Sequence, residues 1–395
     1  MTHSTQFPIG AGLTLADLEN DVHPILHRLR ESEPVSWIPA LDAWLITDRS
    51  LCIQVMRDSK TYTVDHPGFS TAQVVGPSML SLDGMSHLKH RSPFKRPFRK
   101  SEVQRRFNDH VIQEINRLID GFIAQEEAEL RRDFAGPISV MTMIEALGMD
   151  ETPVRNVLSW YDTIVDAVTR VSAGEPVSKE GKAAYQALNE NLLPVLKRDA
   201  DSSLLAAASG MAQGLTDEQI ISNAAILLFG GIETTEGMIA NALYHLLANP
   251  KQLETVRADL SIMPAVIEES LRMEPAATVI DRYTTADVQL GDAYIREGEL
   301  VRISLAGANR DPKTFENPDE FDPYRSNLKE HVTFAQGPHV CLGIHLARLE
   351  AIESVKQLLI RLPNLAPKAG KIIKPTGLIF RKPQSVLANW RNAGQ

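Results

Sequence analysis

Phe334-Ala335-Gln336-Gly337-Pro338-His339-Val340-Cys341-Leu342-Gly343 is the stretch on which the reading of this chain turns. It carries one of the two cysteines. A Gly-Pro turn precedes the sulfur, and an apolar-periodic segment over 344–362 follows it. The pattern predicts a loop that delivers a thiol to the mouth of a helix. Unpaired N–H groups and the helix dipole at such a mouth favour an anion. Anionic sulfur is a strong ligand for iron. Gly337 allows a tight turn and a close backbone approach. His339, two residues from the sulfur, is placed to meet a carboxylate on a bound cofactor. Taken alone, a single cysteine is more often a small buried hydrophobe, so the spacing has to decide.

Phe-x-x-Gly-x-His-x-Cys-x-Gly fixes five of ten positions. It resembles the haem-binding loop of the cytochrome P450 monooxygenases. The resemblance implies a haem b held by Cys341 as the metal ligand, with Phe334, His339 and Gly343 around it.

At 395 residues the chain exceeds the roughly 250–300 that one simple core supports. It is either two domains or one large domain built around something. A hydrophobic content of 43% and a charged content of 23% are ordinary for a soluble protein. The net charge of -9 argues against general affinity for nucleic acid. Cys52 and Cys341 lie too far apart in sequence to suggest a disulfide framework. No stretch approaches the roughly 20 apolar residues of a membrane helix, and the first residues lack a signal-like pattern. The expectation is a cytoplasmic protein without a membrane anchor, which by resemblance is the soluble bacterial type.

Residues 15–29 have helical periodicity, residues 35–38 and 43–47 read as paired short strands, and a helix starts at Ser50. Residues 62–82 are rich in Gly, Pro, Ser and Thr and read as a long loop, a length that tends to be functional. A basic helix opens at Asp83. His87 and Arg91 share one face of it. A solvated basic face is the plain reading of that pair; the resemblance implies instead that both meet haem propionates. The same helix and its sequel carry Lys89, Lys95, Arg96, Arg99, Lys100, Arg105 and Arg106. In a chain that is acidic as a whole, this run suits an acidic electron-transfer protein better than nucleic acid. Residues 103–206 read as mostly helical, with breaks at 136–137, 148–150 and 172–181; by resemblance the helices over 154–171 and 182–197 form a lid.

Thr216 and Gln219 have capping-box spacing, and Asn249-Pro250 stops the helix they start. That helix spans about 33 residues, roughly 50 Å. Residues 224–229 are apolar all round, which predicts a central helix. Gly230-Gly231-Ile232-Glu233-Thr234-Thr235 interrupts it. Paired glycines weaken a helix by about 1 kcal/mol each. A Thr234 hydroxyl can bond back to the Gly230 carbonyl and bend it. A close helix crossing with ordinary threonine back-bonding accounts for these residues by itself. The resemblance adds an oxygen-binding groove in which Gly231 faces the cofactor and Glu233 and Thr234 pass protons.

Glu269 and Arg272 share a helix face, and Arg325 follows in Asp-Pro-Tyr-Arg. By resemblance the three form a buried network behind the haem loop, and Arg282 is a second propionate-binding arginine. Residues 294–308 read as a hairpin region, and residues 377–386 as a last β element. The resemblance implies one domain over 1–395, mainly α-helical with small β-sheets, the cytochrome P450 fold enclosing haem. It implies insertion of one atom of O2 into a C–H or C=C bond of a hydrophobic small molecule. No Gly-x-Gly-x-x-Gly follows a strand, so no built-in reductase is read. Electrons would come from a ferredoxin or flavodoxin with an NAD(P)H-dependent reductase. Expected pocket residues are Ile226, Phe229, Gly230, Thr278, Ile280, Leu378 and Ile379. Two alternatives stay open: a haem-thiolate sensor without turnover, and a peroxide-driven variant.

Overall fold

In the computed structural model, residues 6–172, 174–368 and 372–390 are described. The helices that position the site are α1 (Arg49–Arg57), α2 (Gly84–Lys95), α3 (Lys100–Phe122), α4 (Gly136–Leu147), α5 (Val154–Ser172), α6 (Lys179–Leu192), α7 (Asp217–Ala248), α8 (Met263–Met273) and α9 (Ile344–Arg361). Helix α7 begins where the sequence places it. The Thr216 side chain accepts from the Gln219 N–H, and the Gln219 side chain accepts from the Thr216 N–H. It runs 32 residues and is buried along most of its length. The main apolar core forms around it, with α4 on one side and α9 on another.

One five-stranded sheet stands beside the helices. Its strands are β1 (Val35–Ile38), β2 (Ala43–Ile46), β3 (Tyr62–Thr63), β4 (Val279–Thr284) and β5 (Leu300–Ser304), in the order β1-β2-β5-β4-β3. The β1-β2 hairpin pairs Val35 with Ile46 and Ile38 with Ala43, and β2 meets β5 in parallel. Two smaller apolar clusters lie against this sheet.

Several local expectations change. Residues 15–29 form two helices, Leu15–Glu19 and Val22–Ser32, because Asn20 and Asp21 leave helical geometry. The loop over 62–82 contains β3 and the helix Ser70–Val75. Gly136-Pro137 opens α4 instead of breaking a helix, since proline suits a first turn. The stretch 294–308 is not one hairpin: Ala293–Ile295 pairs with Val288–Leu290, while β5 joins the large sheet. Pro375–Thr376 pairs with Lys382–Pro383, and Leu387–Asn389 pairs with Glu127–Glu129. No helix among the described residues is long and apolar enough to cross a membrane.

Candidate active site

The Cys341 loop is held at several points. The Cys341 N–H donates to the Phe334 carbonyl at 2.8 Å. Gly337 has φ +74°, and a Cβ there would lie 2.5 Å from the Met56 carbonyl oxygen at the end of α1. Only glycine fits both constraints without strain. Gly343 is the N-cap of α9, and the Gly343 and Ile344 N–H groups bond to the sulfur. Burial is the strongest influence on the Cys341 thiol and pushes it up. The Gly343 N–H, the Arg91 and Arg348 charges and the Ile344 N–H oppose that push without reversing it. The helix mouth alone leaves the thiol above its ordinary range; a bound metal cation would add the stabilisation a thiolate needs.

The sulfur is exposed at a partly open cavity of about 290 Å³. Helix α7 crosses this cavity with one stripe at helical spacing: Ile226 and Leu227, Gly230 and Gly231, Thr234 and Thr235, then Met238. The Thr234 hydroxyl donates back to the Gly230 carbonyl, as its spacing predicts. The two glycines differ. A Cβ on Gly230 would meet nothing within 4 Å, whereas one on Gly231 would lie 2.2 Å from the Met143 sulfur on α4. Gly231 has a packing reason to be glycine, and Gly230 leaves room in the cavity.

Glu233 lies on the neighbouring stripe and does not line the cavity. Its carboxylate pairs with Lys382 at 2.7 Å and accepts from the Tyr161 hydroxyl at 3.5 Å. Phe229 shares that stripe and packs against the Tyr161 and Phe380 rings. Of the expected pocket residues, Ile226, Gly230 and Ile280 line the cavity. Phe229, Thr278, Leu378 and Ile379 do not. The Thr278 hydroxyl donates to the Leu378 carbonyl, and both residues face a separate small void. Ile379 is 43% exposed. Met79 and Leu80 of the 62–82 segment, which the resemblance places over the substrate pocket, also line it, and so do Met143, Leu346 and Glu350, which the sequence did not single out.

Arg91 and His339 are the basic side chains that line the cavity, while His87 and Arg282 are not among its lining residues. The His87 ring lies 4.4 Å from that of His339, and its Nε2 is buried with no protein partner. Burial first, then the His339 and Arg91 charges, push His87 down to about 4. His339 meets a carboxylate within the protein: its Nε2 lies 2.8 Å from Asp83 Oδ1. Burial works to raise the Asp83 carboxyl, but the bonds to His339, the Val64 N–H and Thr63 hold it below its usual range. Arg91 lines the cavity and donates to the Val340 carbonyl. Arg282 is 4% exposed and donates to the Asp281 carbonyl at 2.6 Å.

Behind the loop the expected network is present. Arg272 grips Glu269 with two bonds of 2.8 Å, and Arg325 Nε reaches Glu269 Oε1 at 3.0 Å. A second network escaped the sequence reading. Glu268 joins Arg348 at 2.6 and 2.7 Å and His331 at 3.0 Å, and Arg348 stacks over the Phe334 ring at 4.6 Å. The Thr333 hydroxyl donates to the Leu271 carbonyl at 2.7 Å. Helix α8 thus ties both ends of the segment 331–348. These partners are far apart in sequence, and no local pattern signals them.

A sulfur at a helix mouth, an orphaned buried imidazole nitrogen, two buried guanidinium groups and a glycine with open space above it all suit a large planar iron cofactor with acidic side groups. Fold and site therefore define a helical protein built around such a group. Comparison with known proteins agrees. The cytochrome P450 family model matches residues 183–362. Cytochrome P450 107B1 of Saccharopolyspora erythraea is 34% identical over 367 residues, covering 87% of this chain and 88% of that protein. The monooxygenase PikC of Streptomyces venezuelae is 29% identical, over 95% of this chain and 92% of that one. The crystal structure of P450BioI with an acyl carrier protein bearing hexadec-9Z-enoic acid superposes with a TM-score of 0.84 at 25% identity, covering 94% and 99% of the two chains. The chain belongs to the cytochrome P450 family. Its cofactor is haem, and it is an oxidoreductase of the monooxygenase kind.

Proposed function

We propose that this protein inserts one oxygen atom of O2 into a C–H or C=C bond of a hydrophobic small molecule. The observation that carries this reading is one cavity lined by both the Cys341 sulfur and the Thr234 hydroxyl, with mostly apolar walls. Haem supplies the oxygen activation when bound. Cys341 would hold its iron; Phe334, Gly343 and Gly231 would border the ring. His87, Arg91 and Arg282 would take its propionates, with His339 beside His87 and held by Asp83. Glu269, Arg272 and Arg325 keep the loop rigid behind it.

Met79, Leu80, Ile226 and Ile280 exclude water and hold the substrate by burying it. Thr234 holds a proton donor in the cavity, and Glu233 supports it from outside, fixed by Lys382. The basic face of α2 and the start of α3 suit an acidic ferredoxin or flavodoxin, fed by an NAD(P)H-dependent reductase. We read residues 1–395 as one domain acting in the cytoplasm, where two free cysteines stay reduced.

The test is turnover with NAD(P)H, a surrogate ferredoxin and reductase, and a substrate chosen by its effect on the haem absorption spectrum. Thr234→Ala should keep electron consumption while product per electron falls. Turnover by peroxide alone, or none at all, would favour the peroxide-driven or sensor reading. Unchanged coupling in Thr234→Ala would remove Thr234 from the relay.

A further inference from the structure

Met79 and Leu80 line the cavity from a turn that belongs to no helix or strand, yet Met79 is buried. Three sets of bonds hold that turn. Within it, the Ser78 N–H donates to the Ser81 hydroxyl, the Leu80 N–H to the Ser78 hydroxyl and the Ser81 N–H to the Ser78 carbonyl. From α7, the Ser222 hydroxyl donates to the Pro77 carbonyl at 2.9 Å. The third set belongs to Asn223, fully buried on α7 one turn before Ile226 and Leu227. Its Oδ1 accepts from the Met79 N–H at 2.7 Å, and its Nδ2 donates to the Gln219 carbonyl at 2.7 Å. These two partners fix the orientation of the amide, because an N–H can only donate and a carbonyl can only accept. Nδ2 therefore also donates to Nδ1 of His90, 3.0 Å away on α2. His90 must offer a lone pair there, so its proton sits on Nε2 and the ring is neutral. Burial pushes His90 down, which favours the neutral ring. Neither Asn223 nor His90 lines the cavity.

We propose that Asn223, with the His90 ring as its acceptor, is the positioning residue that sets the substrate wall formed by Met79 and Leu80. This rests on the monooxygenase reading, and it adds two residues that lie behind the cavity wall. The amide fastens Met79 to the helix that carries Ile226 and Leu227, so the two faces keep one spacing. A ligand large enough to touch both faces is selected by that spacing, and a ligand that reaches only the iron does not feel it. Through His90 the same amide ties the wall to α2, the helix that carries His87 and Arg91.

The experiment uses the haem-loaded enzyme and two probes, imidazole and phenylimidazole, whose binding to the haem iron is read from the absorption spectrum. Asn223→Leu keeps the size of the side chain and removes its three bonds. It should weaken phenylimidazole roughly 10-fold or more, the factor that about 1.4 kcal/mol gives, while imidazole affinity and haem content stay within about 2-fold. His90→Leu should behave alike. His90→Asn, which puts an amide oxygen where Nδ1 stands, should keep the parent's preference for the phenyl-bearing probe. Hydrogen exchange read by mass spectrometry should show residues 76–81 protected in the parent without any ligand, and exchanging faster in Asn223→Leu. If the ratio of the two affinities does not fall in Asn223→Leu, the loss is ordinary packing and the proposal is overturned. A His90→Asn variant that behaves like His90→Leu overturns it too, and so does a segment 76–81 that exchanges freely in the parent. If the leucine variants take up no haem, the ratio in His90→Asn and the protection in the parent decide. A parent that binds neither azole at its iron would instead count against the monooxygenase reading, and the exchange of residues 76–81 would still decide the role of Asn223.

Discussion

Replacing each of the two central glycines by alanine separates a packing role from a space-making one. Both changes gain about 1 kcal/mol of helix propensity in α7. At Gly230 the new methyl meets nothing within 4 Å, so that gain should appear nearly undiminished as added stability. At Gly231 the methyl would lie 2.2 Å from the Met143 sulfur and 2.7 Å from its Cγ. Methionine is adaptable, but Met143 is 3% exposed and can move only by displacing its neighbours on α4. Overpacking of this kind costs roughly 1–3 kcal/mol. The helix term cancels between the two variants, so Gly230→Ala should be more stable than Gly231→Ala by that overpacking cost alone. Urea unfolding of both, monitored by circular dichroism, measures the difference. Gly230→Ala should also bind haem ligands less well, because its methyl enters the cavity. Equal stability, or a more stable Gly231→Ala, would refute the assignment of Gly231 to the α4–α7 crossing.

Glu269→Ala should cost roughly 3–5 kcal/mol, since it leaves the Arg272 and Arg325 guanidinium groups buried without their shared carboxylate; a loss below about 1 kcal/mol by urea unfolding would contradict the buried network. Gly337→Ala should destabilise by about 1–2 kcal/mol from backbone strain alone. The clash with the Met56 carbonyl adds to this, and haem retention after gel filtration should drop; full retention would show that the loop can move off α1. Burial raises the Glu350 carboxyl, which predicts a pH dependence. The unfolded chain ionises near 4.5 while the folded chain keeps its proton, so stability is full below that pH and falls as pH rises toward the folded value. Relative to Glu350→Gln, the parent should lose stability progressively as pH rises above about 4.5; a pH-independent difference between the two proteins would contradict a neutral Glu350.

The parts legible in the sequence are those with local signals. The Cys341 loop, the Thr216–Gln219 capping box and the β1-β2 hairpin each rest on residues a few positions apart, and each stands where its pattern placed it. The Glu269–Arg272 pair is also local, whereas the distant Arg325 was implied by the family resemblance and not by any spacing. The side of α7 that faces the cavity was harder to read. Residues 224–229 are apolar all round, so periodicity could not choose between the stripe of Ile226 and that of Phe229. The choice is made by Lys382 and Tyr161, which draw Glu233 and Phe229 away from the cavity. The Glu268–Arg348–His331 network and the solitary carboxyl of Glu350 depend on how α8, α4 and α9 pack. An acid in the amphipathic α9 looks like any solvated glutamate until that packing is known. Residues 15–29 show the opposite fault: apolar periodicity carries across Asn20-Asp21, although the Thr14–Asp17 capping box marks a separate first helix.

The account depends most on sulfur ligation by residue 341. The other cysteine, Cys52, is fully buried in another cluster, where burial pushes its thiol up, so a thiolate on the iron leaves one candidate. The haem-loaded protein, reduced and exposed to carbon monoxide, should give the absorption spectrum of a thiolate-ligated pigment, retained in Cys52→Ser and lost in Cys341→Ser. An imidazole-type spectrum in the parent, or a thiolate spectrum that survives Cys341→Ser, would contradict it.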